Sequence, residues 1–297
     1  MVLLVVAVLS VVAGLTGYLV VGHWPKADPA LRASETVGAK LRSHPKPRSF
    51  LRSRLDRATA TATGLVLTVA LIGIVMAGAV VGLFAWMIRR DLGIVTVDLA
   101  VERWAQARAT SFTDEVLGAL THLGDTETIV AVAIAVGAFG LVRWRRWAVP
   151  LFVLMVVLGQ MLISNTIKVI IDRARPELRP RVDFTGTSFP SGHTTAATAT
   201  YLAVALVLAI GSSPRTRAAL AGVALAIGVA VGCTRVLLGV HFFSDALAGF
   251  AIGLSWFGLC AVASGGRLLS FGAPAQLAAS PTVRPPPAPT HARPGEM

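Results

Sequence analysis

Seven stretches of this 297-residue chain carry no Asp, Glu, Lys or Arg: Met1–Pro25, Ala58–Ile88, Thr128–Val142, Trp147–Ile167, Thr194–Pro214, Ala218–Thr234 and Ala246–Gly266. Uncharged apolar runs that approach roughly 20 residues are transmembrane helix candidates. The third run is short and reads best as the partner of the fourth. Only 14% of the residues are charged, where a soluble domain carries about a quarter. The chain is therefore expected to be all-α: a polytopic membrane helical bundle with a six-helix core and one extra N-terminal transmembrane helix.

The first run has the alternative of a cleaved signal peptide. It has no basic n-region, its apolar part is longer than an h-region, and its basic segment follows rather than precedes it, so a retained span is expected. That basic segment, residues 23–57, holds nine of the 27 Lys and Arg in a chain of formal net charge +12. Its two aromatics, Trp24 and Phe50, are too few for a base-stacking surface, and no nucleic-acid partner is expected. Basic juxtamembrane segments stay in the cytoplasm and attract anionic lipid. The two cysteines, Cys233 and Cys260, lie at or within apolar runs and imply neither a metal site nor a disulfide framework.

Four regions follow: residues 1–25 as an N-terminal transmembrane helix, 26–61 as a basic cytoplasmic linker, 62–266 as the six-helix unit, and 267–297 as a disordered tail rich in proline. Within the polar connection 89–127, Val101, Trp104, Ala105 and Arg108 recur at helical spacing and predict a short interfacial helix. If the linker is cytoplasmic, alternation places 143–146, 215–217 and the tail on the same side, which then holds 17 of 27 Lys and Arg. The loops carrying 168–193 and 235–245 then face outward.

Those outward ends carry the chemistry. "KVIIDRARP" supplies Lys168 and Arg175, seven residues apart and expected to share a helix face. "PSGH" supplies Ser191, Gly192 and His193 at a helix start, where backbone N–H groups bind anions. "CTRVLLGVHFFSD" supplies Arg235, then His241 and Asp245 at i and i+4. Three cations suit phosphate oxygens, Arg with bidentate geometry. His241 with Asp245 reads as a nucleophile and its orienting carboxylate, leaving His193 as a free acid/base. Each piece alone has a plainer reading: interfacial Lys and Arg snorkel, and i, i+4 His–Asp pairs are common helix-surface contacts. His23, His44, His122 and His291 are read as structural. Two histidines with a carboxylate also resemble a metal site, but the adjacent cations would repel a metal, so none is expected.

Taken together, Lys-x6-Arg-Pro (Lys168, Arg175, Pro176), Pro-Ser-Gly-His (Pro190 to His193) and Arg-x5-His-x3-Asp (Arg235, His241, Asp245) resemble the three-part signature of the type 2 phosphatidic acid phosphatase superfamily. The likeness covers about residues 62–264 and omits the first span, linker and tail. One departure is Thr234, where the family usually has Ser before the Arg. The resemblance implies a membrane lipid phosphatase without cofactor, acting on a lipid phosphate or diphosphate of the prenyl diphosphate or phosphatidate type. It implies attack by His241 to form a phosphohistidine, with Asp245 holding that ring. His193 would protonate the leaving oxygen and then activate water, and Lys168, Arg175, Ser191, Gly192 and Arg235 would cradle the phosphate. Alternatives are a headgroup phosphotransferase of the same family and a catalytically silent transporter or scaffold. The outward position of the motifs places the expected site at the extracytoplasmic face of the cell membrane.

Overall fold

The computed structural model describes residues 1–27, 75–145, 147–176 and 186–268. Among them the structure is helical: α1 Val2–Ala27, α2 Val75–Arg89, α3 Ile94–Gln106, α4 Ser111–Thr121, a 3-10 turn His122–Gly124, α5 Thr126–Trp144, α6 Ala148–Ile171, α7 Gly192–Leu208, α8 Pro214–Leu237 and α9 Phe243–Leu268. Five of these (α1, α5, α6, α8 and α9) are long and apolar enough to cross a membrane, and α2 and α7 are shorter apolar helices. The six-helix core plus one N-terminal helix is therefore present as α2 and α5–α9 with α1. The linker, the start of the second apolar run and the tail lie outside the described residues.

Helix boundaries shift where local chemistry overrides apolar run length. The fifth run was expected to continue to Pro214, yet α7 stops at Leu208 and α8 begins at Pro214. Ser213 caps α8 by accepting from Thr216 N at 3.2 Å, and Pro214 fills the first helical position, where its missing N–H costs nothing. Arg215 and Arg217 consequently lie in the first turn of α8 and not in a connecting turn.

The core forms where α7 is enclosed. Val149, Phe152, Val153 and Val156 of α6 pack on Ala199, Ala203 and Val207 of α7 and Cys260 of α9. The opposite side of α6, including Leu151, Leu154, Leu158 and Leu162, stays exposed. A helix apolar all round has protein on one side and lipid on the other. The threonine-rich face of α7 meets two glycine pairs, Gly228 and Gly232 on α8 and Gly249 and Gly253 on α9. A Cβ on Gly249 would fall 2.6 Å from the Ser191 carbonyl oxygen. Small residues let transmembrane helices approach to backbone contact, and here they seat the start of α7 against α9.

α1 lies along α8, with Gly14 against the backbone of Gly222. Val2 and Val6 join Leu237, Leu238 and Val240, together with Ala105 of α3 and Leu117 of α4. The start of α1 is thus at the same end of the bundle as the close of α8. Residues 172–176, 186–191 and 238–242 and the helices α3 and α4 gather at that end.

Candidate active site

Lys168 is in the last turn of α6, which ends because Asp172 adopts the left-handed conformation (φ 47°, ψ 47°) and returns its N–H to the Lys168 carbonyl. Lys168 and Arg175 therefore do not share a helix face. Arg175 reaches the site from the non-helical residues 172–176 that follow α6. Its Nε donates to the Gly186 carbonyl (2.9 Å) and its Nη1 to the Val240 carbonyl (2.8 Å), with Nη1 also 3.2 Å from His241 Nε2. A guanidinium has no acceptor, so in this contact Nε2 presents its lone pair.

His241 lies in the loop between α8 and α9, 3% exposed. Its Nδ1 faces Asp245 Oδ2 at 3.5 Å. Burial lowers the imidazole from its ordinary 6.5 to about 4; Asp245 opposes this, and Arg175 and Arg235 add to it. The ring is neutral near pH 7, with Nδ1 turned toward Asp245 and the Nε2 lone pair toward Arg175. Asp245, in the first turn of α9, accepts from Phe242 N (2.8 Å), the Ser188 hydroxyl and Arg173 Nη1 (2.7 Å). Its backbone carbonyl accepts from Ser191 N at 3.0 Å, tying the Pro-Ser-Gly-His loop to the first turn of α9.

Ser191 is the N-cap of α7 and Gly192 its first residue. A Cβ on Gly192 would lie 3.7 Å from Lys168 Nζ, so the lysine ammonium sits directly beside the N-terminus of α7. Both groups attract anions. Arg235, 5% exposed, donates from Nη1 to Thr121 Oγ1 at 3.1 Å. Its Nε has no hydrogen-bond partner among the described residues. A buried guanidinium N–H left unpaired is costly unless a ligand completes it. Lys168, Arg175 and Arg235 stand within Coulombic reach of one another, an arrangement suited to an anion. All the candidate site residues thus gather at one end of the bundle.

One expectation about the histidines changes: His193 is not free, because its Nε2 meets Asp125 Oδ1 at 2.8 Å. His122, read as structural, meets the other oxygen of that carboxylate through its Nδ1 at 2.6 Å. A second change concerns α3. The predicted stripe of Val101, Trp104, Ala105 and Arg108 leaves Arg108 beyond the helix end and exposed, its guanidinium 5.0 Å above the Trp104 ring. The buried residues are Asp98, Glu102 and Ala105. Asp98 accepts from Arg173 Nη2 (2.8 Å), Ser244 N (2.8 Å) and Ser244 Oγ (2.6 Å). Sequence reasoning missed Asp98, Thr121, Asp125, Arg173, Ser188 and Ser244. Asp98 and Glu102, acidic at i and i+4 and so on one face of α3, were the one legible signal.

A bundle of membrane helices with three cations, a helix N-terminus and a neutral buried histidine at one end defines a membrane phosphatase, and comparison with known proteins agrees. The family model of the PAP2 superfamily matches residues 149–267. The chain is 33% identical over 169 residues to phosphatidylglycerophosphatase B of Bacillus subtilis, across 55% of this chain and 81% of that protein. It is 38% identical over 108 residues to lipid A 1-phosphatase of Rhizobium johnstonii, across 33% of this chain and 40% of that one. The crystal structure of a transmembrane PAP2 type phosphatidylglycerolphosphate phosphatase from Bacillus subtilis superposes with a TM-score of 0.58 at 28% identity, over 63% of this chain and 95% of that chain. The chain belongs to the PAP2 superfamily.

Proposed function

We propose that this protein hydrolyses the phosphate of a membrane lipid through a phosphohistidine formed on His241. The observation that carries the reading is the state of His241: buried, neutral, with Nδ1 toward Asp245 and the Nε2 lone pair directed at Arg175. A phosphate placed between Arg175, Lys168, Arg235 and the N-terminus of α7 would meet that lone pair. Nε2 attacks phosphorus, Asp245 stabilises the ring as it becomes cationic, and the three cations neutralise charge on the transferring oxygens. His193 gives its proton to the leaving lipid oxygen, then takes one from the water that cleaves the P–N bond. The cations supply the charge that a divalent ion brings to other phosphoryl transfers, so turnover should persist in excess chelator.

A phosphatase is favoured over a silent binder because a binder needs the cations but neither a nucleophile nor its carboxylate. Among substrates, the likeness to phosphatidylglycerophosphatase B brings phosphatidylglycerol phosphate forward beside the prenyl diphosphate and phosphatidate expected from sequence. The distribution of basic residues favours a site at the extracytoplasmic face. The packing of Gly14 on Gly222 and of Val2 and Val6 on the close of α8 favours a retained first helix.

The test is incubation of purified protein with each lipid carrying a labelled phosphate. The expected result is an acid-labile, base-stable protein adduct and release of inorganic phosphate, with His241→Ala abolishing the adduct and lowering turnover by about 10³-fold or more. Turnover in His241→Ala within tenfold of the parent protein would refute the mechanism.

A further inference from the structure

Asp125 stands where an N-cap carboxylate belongs, immediately before α5 with extended backbone (φ −65°, ψ 146°), yet its side chain makes no cap hydrogen bond. An Asp at this position ordinarily accepts from the N–H groups of the first turn. Here both oxygens are taken by histidines instead, Oδ1 by His193 Nε2 at 2.8 Å and Oδ2 by His122 Nδ1 at 2.6 Å. Burial by itself raises this carboxyl; hydrogen bonds from His122 and His193, and their charges, more than reverse that and hold it below the ordinary carboxylate value.

The turn that carries Asp125 is fastened to the site by independent contacts. Tyr201 of α7 donates to the Leu123 carbonyl at 3.0 Å. Arg235 of α8 donates to Thr121. Gly124 fits against the base of His193, where a Cβ would come 3.0 Å from His193 Cβ and 2.8 Å from Val231. Residues 121–125 thus form a bracket across α7 and α8 that lies wholly outside the three sequence motifs.

We infer that Asp125, backed by His122, is a positioning residue for His193, giving the site a second histidine–carboxylate pair that serves proton transfer as Asp245 serves the nucleophile. The inference rests on His193 being the proton donor. With Nε2–H held by Asp125, Nδ1 is the nitrogen that exchanges the working proton. As the bond from phosphorus to the lipid oxygen breaks, its electron pair goes to that oxygen and Nδ1–H supplies the proton. When water attacks the phosphohistidine, Nδ1 takes the proton back, and the cycle closes without an external acid. The Asp125 carboxylate fixes the ring tautomer and favours the imidazolium form, opposing the burial and the Arg235 charge that lower His193 to about 4 with no phosphate bound. His122 holds the second oxygen, so the carboxylate stays turned toward His193 and away from the helix it would otherwise cap.

The test separates this role from a purely structural one by leaving-group dependence. An alkyl lipid phosphate needs protonation of its leaving oxygen, whereas para-nitrophenyl phosphate does not. Asp125→Asn should lower kcat on the lipid phosphate by about 10²-fold and leave the rate of aryl-phosphate cleavage, read as the nitrophenol burst, within about tenfold. Because water activation is also impaired, phosphoenzyme should accumulate on the aryl substrate. His122→Asn should show the same split with a smaller loss, and Asp125→Glu should recover part of the lipid activity. Should Asp125→Asn not fold, Gly124→Ala, which pushes the bracket off His193, should give the same split. Equal losses on both substrates would overturn the inference, as would a lipid rate within threefold of the parent protein. His241→Ala, measured beside these, keeps the two readings apart. If it retains turnover while Asp125→Asn still shows the split, the phosphohistidine fails and the role of Asp125 stands.

Discussion

Asp98 should anchor the active-site end of the bundle, although it lies about seventy residues before the first motif. It is 1% exposed and accepts three hydrogen bonds, from Arg173 Nη2, Ser244 N and Ser244 Oγ. Arg173 spans the space between Asp98 and Asp245, at 2.8 Å and 2.7 Å, with its guanidinium 4.0 Å above the Phe242 ring. Asp98→Ala removes one carboxylate from a buried pair and orphans a backbone N–H in the first turn of α9. Breaking a buried pair costs about 3–5 kcal/mol when the remaining charge loses its only partner; Arg173 keeps Asp245, so the loss here falls short of that. The orphaned N–H adds about 1–3 kcal/mol and overlaps with it, so about 2–4 kcal/mol is the expected total. For a protein of this size that corresponds to a fall in Tm of roughly 4–16 °C. The assay is the fraction of monodisperse protein surviving a temperature series in detergent. Asp245 keeps Arg173, Ser188 and Phe242 N after this change, so turnover below the new Tm should fall by no more than about tenfold, or roughly 1.4 kcal/mol. Arg173→Met is the contrast. It leaves two buried carboxylates without their cation and withdraws a contact from Asp245, so stability and turnover should both collapse. An unchanged Tm in Asp98→Ala would refute the reasoning, since no other described contact of that carboxylate could offset its loss.

How much of this was legible in sequence depended on how far apart the partners lie. Among the described residues the apolar runs mapped onto helices, because each run records its own surroundings, lipid or core, residue by residue. The clustering of Lys168, Arg175, Arg235 and the start of α7 was legible because helix termini at one membrane level meet without any knowledge of packing. The path of Arg175 was not, because apolar spacing is silent about where a helix stops; the left-handed turn at Asp172 decides that. The face of α3 was misread for a related reason. A hydrophobic stripe assumes that buried means apolar, and Asp98 is buried because Arg173, 75 residues away, neutralises it. Asp125 was hidden by a better local explanation, since an Asp directly before a helix reads as a cap until His193 is brought to it from α7.

Three further predictions follow from the geometry. His241 must be neutral to attack, and its depression to about 4 keeps it so until the pH falls through that value. The acid limb of kcat/KM, corrected for ionisation of the substrate phosphate, should therefore lie near pH 4, and a limb near 6.5 would mean the histidine is not held as described. Gly249→Ala puts a methyl 2.6 Å from the Ser191 carbonyl oxygen; pushing α7 from α9 should cost about 1–3 kcal/mol of stability and lower kcat more than it raises KM, and unaltered kinetics would show that the seat of α7 does not matter. The last concerns sidedness. Positive charge favours the cytoplasm, and the basic segment 23–57 follows α1, whose start packs beside the site at Leu237 and Leu238. The end of the bundle bearing His193 and His241 should then face outward, and the end bearing Ser212 inward. In a background lacking Cys233 and Cys260, a cysteine replacing the exposed Glu115 of α4 should react with an impermeant maleimide on intact cells, and Ser212→Cys should react only after permeabilisation. The reverse pattern would place phosphate release in the cytoplasm and refute the extracytoplasmic site.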